Sequence, residues 1–218
     1  MSYLNPLSEG PVVLVSAVAR AEGSRGAAAA LSCVAADVDR AALMVDVGGR
    51  PPRPTLLASA AAQKLEERLA AHLPHLRVAA RGQVCHLAVP SDPEGLEAAA
   101  AAVTVARGAA AVIHLAPELL HEAVGSPGLR PTGVLLRGDL ERDRPLLALA
   151  ARDLIARGLT VAVLKRRLGW VVERRALFGA LSPGSAGGLS GRSVRRLGLA
   201  STDTAELPAA APAPAAVS

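Results

Sequence analysis

Aromatic side chains are almost missing from this sequence: Tyr3, Trp170 and Phe178 are the only ones in 218 residues. A surface that stacks single-stranded bases needs a set of aromatic platforms, so the scarcity argues against that mode of nucleic-acid binding. No stretch reaches the ~18 uninterrupted apolar residues that span a bilayer. The opening "MSYLNPLSEGP" lacks a basic segment followed by an apolar run, and the chain is expected to be cytoplasmic. There are two cysteines, Cys33 and Cys85, far apart and outside any metal-ligand or redox spacing, and both are expected to be buried free thiols. No Cys or His stands at ligand spacing near His114, and no metal site is predicted. Nor does the sequence show a Ser/His/Asp or Cys/His arrangement that could be placed in one site.

What the sequence has in quantity is small and aliphatic. Hydrophobic residues make up 51% and charged residues 20%, enough for one sizeable core and one globular domain. Lys and Arg number 24 against 19 Asp and Glu, a net charge of +5. That mild basic excess suits an acidic partner or a membrane surface without requiring either.

Short β-branched runs alternate with longer Ala- and Leu-rich segments. "PVVLVSAV" (11–18), "AALMVDV" (41–47), "QVCHLAVP" (83–90), "AAAVIHLAP" (109–117), "TGVLLRG" (132–138) and "LTVAVLKR" (159–166) read as strands. Between them, 26–39, 55–72, 91–107, a short piece ending near Val124, and 142–158 read as helices. Ser91 or Asp92 is a cap for the third helix and Gly158 a stop for the last. This alternation implies a mostly parallel central sheet in an α/β three-layer sandwich. Residues 1–10 form an N-terminal extension, 11–181 the domain, and 182–218 a Gly/Ser/Arg-rich then Ala/Pro-rich tail expected to be flexible.

In such folds ligands gather at the carboxyl ends of the strands. The first of these places is "ARAEGSRGAAAAL" (19–31), a short glycine-containing loop that enters a helix. Glycines allow close backbone approach, and a helix N-terminus presents unpaired N–H groups, so the position favours a phosphate.

Four stretches in order carry a family resemblance. "VSAVARAEGSRGAAAALS" resembles the Walker A segment of the ParA/MinD group of P-loop NTPases, particularly the CpaE-like and bacterial tyrosine-kinase branches, with Glu22 and Gly23 matching. "ALMVDVGGRPPRPTLL" is similar to the group's second motif, with Asp46, Arg50 and Pro52 matching. "VIHLAPELL" (112–120) stands where that group carries its Walker B strand, with Pro117 matching, and "TGVLLRGDLERDRPLLALAARDLIARGLTVAVLKR" resembles the strand, helix and strand that close its nucleotide site. The resemblance covers about residues 11–168 and implies a P-loop NTPase-like fold.

The departures bear on chemistry. The Walker A lysine becomes Ser24, or Arg25 with the gap moved by one, and the Mg²⁺-binding hydroxyl becomes Arg25 or Gly26. An arginine fork does not replace a compact ammonium in a tight loop, and neither Arg nor Gly coordinates a cation. The second acid of the second motif becomes Gly48, the Walker B aspartate becomes Leu115 beside His114, and the base-recognising Asn falls at Lys165. Phosphoryl transfer depends on positioned charge and metal, so no catalytic residue is assigned. The degenerate phosphate-loop positions are Glu22, Gly23, Ser24, Arg25, Gly26 and Asp46, binding either no cofactor or ATP/ADP weakly without a well-formed Mg²⁺ site.

The resemblance then implies a non-catalytic ParA/MinD-like adaptor or positioning factor, for example in pilus or secretion assembly. Its partner would be a second copy or an active ParA-like relative. The alternatives are a nucleotide-binding switch with little hydrolysis and, less favoured, a DNA-partitioning protein. "KRRLGWVVERRALFGAL" (165–181) combines five basic residues with Trp170 and Phe178. It reads either as a closing helix on the sheet or as an amphipathic contact with the inner membrane.

Overall fold

Alternating side chains of the central strands enter two separate apolar clusters, which is what a sheet buried on both faces requires. In β1 (Val12–Ala17) Val12 and Leu14 join one cluster, Val13 and Val15 the other. In β2 (Ala42–Val47) Leu43, Val45 and Val47 face the first cluster, Ala42 and Met44 the second. The computed structural model describes residues 10–18, 23–36, 40–50, 57–138, 142–165 and 199–200.

From β1 the chain passes through α1 (Ser24–Ala35) to β2, then α2 (Ala60–His72), β3 (Arg77–Arg81), β4 (Val84–Val89) and α3 (Pro93–Val105). It continues through β5 (Ala110–His114), a 3-10 turn (Pro117–Leu119), α4 (Leu120–Gly125), β6 (Gly133–Gly138), α5 (Arg144–Ala156) and β7 (Thr160–Lys165). The sheet order is β3-β4-β2-β5-β1-β6-β7-β8, with β8 at Leu199–Ala200. The strands from β4 to β7 pair in parallel, and only the edge pairs β3·β4 and β7·β8 are antiparallel. The expected mostly parallel α/β architecture is therefore present.

Three differences from the sequence reading have local causes. Strand β3 was not expected; "LRVAARG" is short and polar at its ends, and it forms because it closes a hairpin on β4 around Gly82. Helix α2 starts at Ala60, not near residue 55: the Ser59 side chain accepts the Ala62 N–H at 3.2 Å and fixes the start. Leu57, inside the span 55–72 expected as helix, lies before it at 84% exposure. Within the stretch 182–218 expected as a tail, Leu199 and Ala200 pair with Leu164 and Val163. Residues 166–181, including Trp170 and Phe178, lie outside the described residues.

The larger cluster packs the sheet against α2, α3 and α5 through Leu65, Leu69, Leu96, Ala99, Leu147 and Leu154. Each such leucine, fully buried, contributes about 1.5–3 kcal/mol. On the opposite face α1 alone, among the described helices, supplies Ala27, Ala28 and Leu31. One face of the sheet is thus broadly covered by helices, and the other holds α1 and the polar groups described next.

Candidate functional site

Period-two alternation also places the polar residues. Asp46 follows Ala42 and Met44, His114 follows Val112, and His86 follows Val84, so all three stand on the α1 face of adjacent strands. Asp46 and His114 are register partners near the carboxyl ends of β2 and β5. Helix α1 begins directly above them.

That beginning is set by Gly23, whose φ of 84° lies in the left-handed region open to glycine. Its carbonyl accepts the Ala27 N–H at 3.1 Å, the first helical hydrogen bond, and also accepts from Arg137 Nη1 at the end of β6. A Cβ at Gly23 would overlap the Arg137 guanidinium. The helix therefore starts at Ser24, two residues earlier than expected, and both Ser24 and Arg25 lie in its first turn.

Ser24 is fully buried, with its Oγ 2.9 Å from His114 Nε2. His114 Nδ1 is 2.8 Å from Asp46 Oδ1. A carboxylate only accepts, so Nδ1 carries the proton and donates to Asp46; in the neutral ring Nε2 then accepts from the Ser24 hydroxyl. Asp46 is 1% exposed, and its other oxygen, Oδ2, lies 2.5 Å from Arg25 Nε in an ion pair without hydrogen-bond alignment. His86 Nε2 stands 3.9 Å from the same oxygen and has no hydrogen-bond partner. Burial pushes the His86 pKa down; Asp46 opposes the shift and Arg25 adds to it.

The close approach to Asp46 has its own sequence cause. Gly48 turns the chain with φ 75°, its N–H bonded to the Val89 carbonyl at 2.8 Å. A side chain on Gly49 would overlap the Asp46 carboxylate. Position 48, where the resembling motif carries a second acid, is here the left-handed residue of the turn that brings Gly49 against the Asp46 carboxylate.

Of the degenerate phosphate-loop positions, Gly23, Ser24, Arg25 and Asp46 come together here, and Gly26 follows on the same helix turn. Glu22 lies outside the described residues. Arg50 is exposed, and Pro52 is outside the description. Leu115, at the position resembling the Walker B aspartate, is buried in the core, and His114 beside it is the residue that reaches the cluster. One expectation is corrected. Ser24, His114 and Asp46 do form a connected Ser/His/Asp chain, contrary to the expectation that no such arrangement exists. Their separation by 90 and 68 residues hides it from local motifs. The signal that could have found it is the shared strand face at the carboxyl edge.

Further residues fall outside the cluster. His72 and His75 are exposed, and His121 lies 3.5 Å from Asp153 on the surface. Cys85 is buried, but Cys33 is exposed, so the expectation of two buried thiols fails for Cys33. Its place on α1 is an exposed flank, one turn on from the exposed Ala29. Among the described residues no group of His, Cys, Asp and Glu could hold a metal ion, and no helix is long and apolar enough to cross a membrane.

No protein-family model and no curated protein matches the sequence. The structure is similar to the crystal structure of a ParA family ATPase from Chlorobium tepidum, with a TM-score of 0.50 and 13% identity. The similarity covers 86% of this chain and 91% of that one, so the fold is ParA-like.

Proposed function

We propose that this ParA-like fold works without ATP hydrolysis, as an adaptor or positioning factor that acts through its surfaces. The observation that supports this reading is the pairing of Arg25 with Asp46. The cation at the position resembling the magnesium-binding hydroxyl is neutralised by the one carboxylate of the cluster. The chain's own side chains thus compensate one another where a hydrolytic site needs a free ammonium, a metal ligand and a water-orienting acid. The partner is a protein, either a second copy or an active ParA-like relative, in the cytoplasm or at the inner face of a membrane reached through residues 165–181.

Thermal melting of the full chain with millimolar ATP or ADP and Mg²⁺ tests it. Binding to the folded state at about 100 times Kd would add about 2.7 kcal/mol and raise Tm visibly. An unchanged Tm is expected. A shift with ATP would replace this reading with the nucleotide-dependent switch, for which Arg137 beside the α1 N-terminus offers a cation.

A second reading is favoured by the Ser24–His114–Asp46 chain itself, which has the connectivity of an activated serine. Full burial of Ser24 weighs against it. Fluorophosphonate labelling decides: modification of Ser24 in the native protein, lost in His114→Ala, supports a nucleophile, and no labelling leaves the chain a structural one.

A further inference from the structure

Beside the polar cluster, on the same face of the sheet, lies a cavity of about 1000 Å³ between α1 and the strands β2 and β4. This is the upper end of the ~300–1,000 Å³ typical of small-molecule sites. Ala29, Met44, Leu57 and Val84 give it apolar walls. Along α1 it extends from Arg25 to Cys33, about 12 Å at the helical rise. Arg25 and His86 stand at the end nearest Asp46, and Arg81 comes from the β3–β4 hairpin.

The charges in this lining have one sign. Among the described residues, two arginines and a histidine contribute to it, and no carboxylate does. Arg25 is 47% exposed and turns Nε toward Asp46, so the remaining donors of its planar fork are the ones available to a ligand. His86 Nε2 is closed off from the cavity and faces Asp46 Oδ2 at 3.9 Å, so the imidazole shapes this end of the cavity without offering a donor to a ligand. Asp46 already offsets one positive charge, and burial keeps His86 toward its neutral form. The local excess therefore suits a head group of one negative charge better than a dianion.

We propose that this cavity binds a single-chain fatty carboxylate, with its head on the outward donors of Arg25 and its hydrocarbon chain along the walls formed by α1, β2 and β4. Such a ligand meets the arginine fork with a planar acceptor and removes its own chain from water. The assignment is independent of whether the protein binds nucleotide.

The protein carries its own reporter. Cys33 is an exposed thiol in the cavity wall, and Cys85, buried with its pKa pushed up to about 12, does not compete for a thiol reagent. The rate of Cys33 modification by a maleimide is measured on the full chain with dodecanoate below its micelle concentration, alongside titration calorimetry. Dodecanoate is expected to protect Cys33, and affinity is expected to fall about fourfold for each methylene removed. The methyl ester and dodecyltrimethylammonium are expected to bind about tenfold more weakly or worse.

Arg25→Ala is expected to weaken dodecanoate by about tenfold or more. Because Arg25 also pairs with Asp46, Ala29→Trp is the second variant: it fills the cavity from an exposed helix position and is expected to abolish protection. An unchanged Cys33 rate at saturating dodecanoate, equal binding of the cationic surfactant, or undiminished binding by Ala29→Trp would each overturn the proposal. Phosphatidylglycerol vesicles that bind the protein while monomeric dodecanoate does not would also overturn it, in favour of a membrane surface.

Discussion

Ser24 and His114, ninety residues apart, meet with Oγ 2.9 Å from Nε2, and His114 passes the connection on to Asp46. The three side chains come from a helix start and two strand ends that adjoin only because β5 lies between β1 and β2 in the sheet. Arg25 completes the arrangement by pairing with the far oxygen of Asp46. The cluster is therefore a consequence of strand order, and its members should be energetically coupled.

That coupling is measurable by urea unfolding. Ser24→Ala removes a buried hydroxyl and leaves His114 Nε2 unsatisfied, and is expected to cost about 1–2 kcal/mol. Asp46→Asn removes the charge facing Arg25 and is expected to cost about 1–3 kcal/mol, reduced by the partial exposure of Arg25. The double variant is expected to lose less than the sum, with a coupling of at least about 0.5 kcal/mol. Simple additivity would mean that the chain of contacts is not a unit.

Gly23→Ala probes the start of α1. Alanine at a φ of 84° costs about 1–2 kcal/mol, and its methyl would displace the Arg137 guanidinium from the Gly23 carbonyl. Denaturant midpoints should therefore fall for Gly23→Ala. Arg137→Ala should reduce the additional cost of Gly23→Ala, since the steric conflict is then absent.

The two thiols should react on different timescales. At pH 8 the native protein is expected to consume one equivalent of a thiol reagent rapidly, at Cys33, and the second only after denaturation. The cause is burial of Cys85, which holds its pKa near 12, with Glu66 adding to the shift. Peptide mapping of the rapid product checks the assignment; early labelling of Cys85 would contradict it.

His86 gives a pH dependence of defined sign. Its pKa is lowered from 6.5 in the folded state, chiefly by burial, so between the lowered value and 6.5 the unfolded chain binds more protons. The contribution of neutral His86 to stability is complete above about pH 6.5 and is lost as pH falls through the folded pKa. Replacing His86 with Gln should flatten the stability profile on the acidic side of pH 6.5, measured by unfolding at a series of pH values. A steeper profile would reverse the assignment.

Much of this architecture was legible before any coordinates. "VVLVSAV" and "ALMVDV" are runs apolar at nearly every position, as strands buried on both faces must be, and alternation with Ala-rich helices implied the parallel crossovers. Asp92 at the head of α3 accepts the Gly95 N–H at 2.8 Å, as an acidic cap before a helix should. Strand β3 escaped because five residues with exposed arginines at both ends carry little apolar pattern; its pairing with β4 supplies what its composition does not. Leu57 was misplaced because helical spacing continues past the point where Ser59 caps the chain.

The sequence by itself determined the order of the parallel strands and their helices, the alternation of faces along each strand, and the absence of a lysine from the loop before α1. Those are properties of nearest neighbours: propensity, period and capping. Only the tertiary structure decided that Ser24, His114, Asp46 and Arg25 meet, that Cys33 faces outward, and that a cavity opens beside them. Each depends on which strands lie side by side and which face a helix covers. That order is set by burying one shared core, so no local stretch of sequence can specify it.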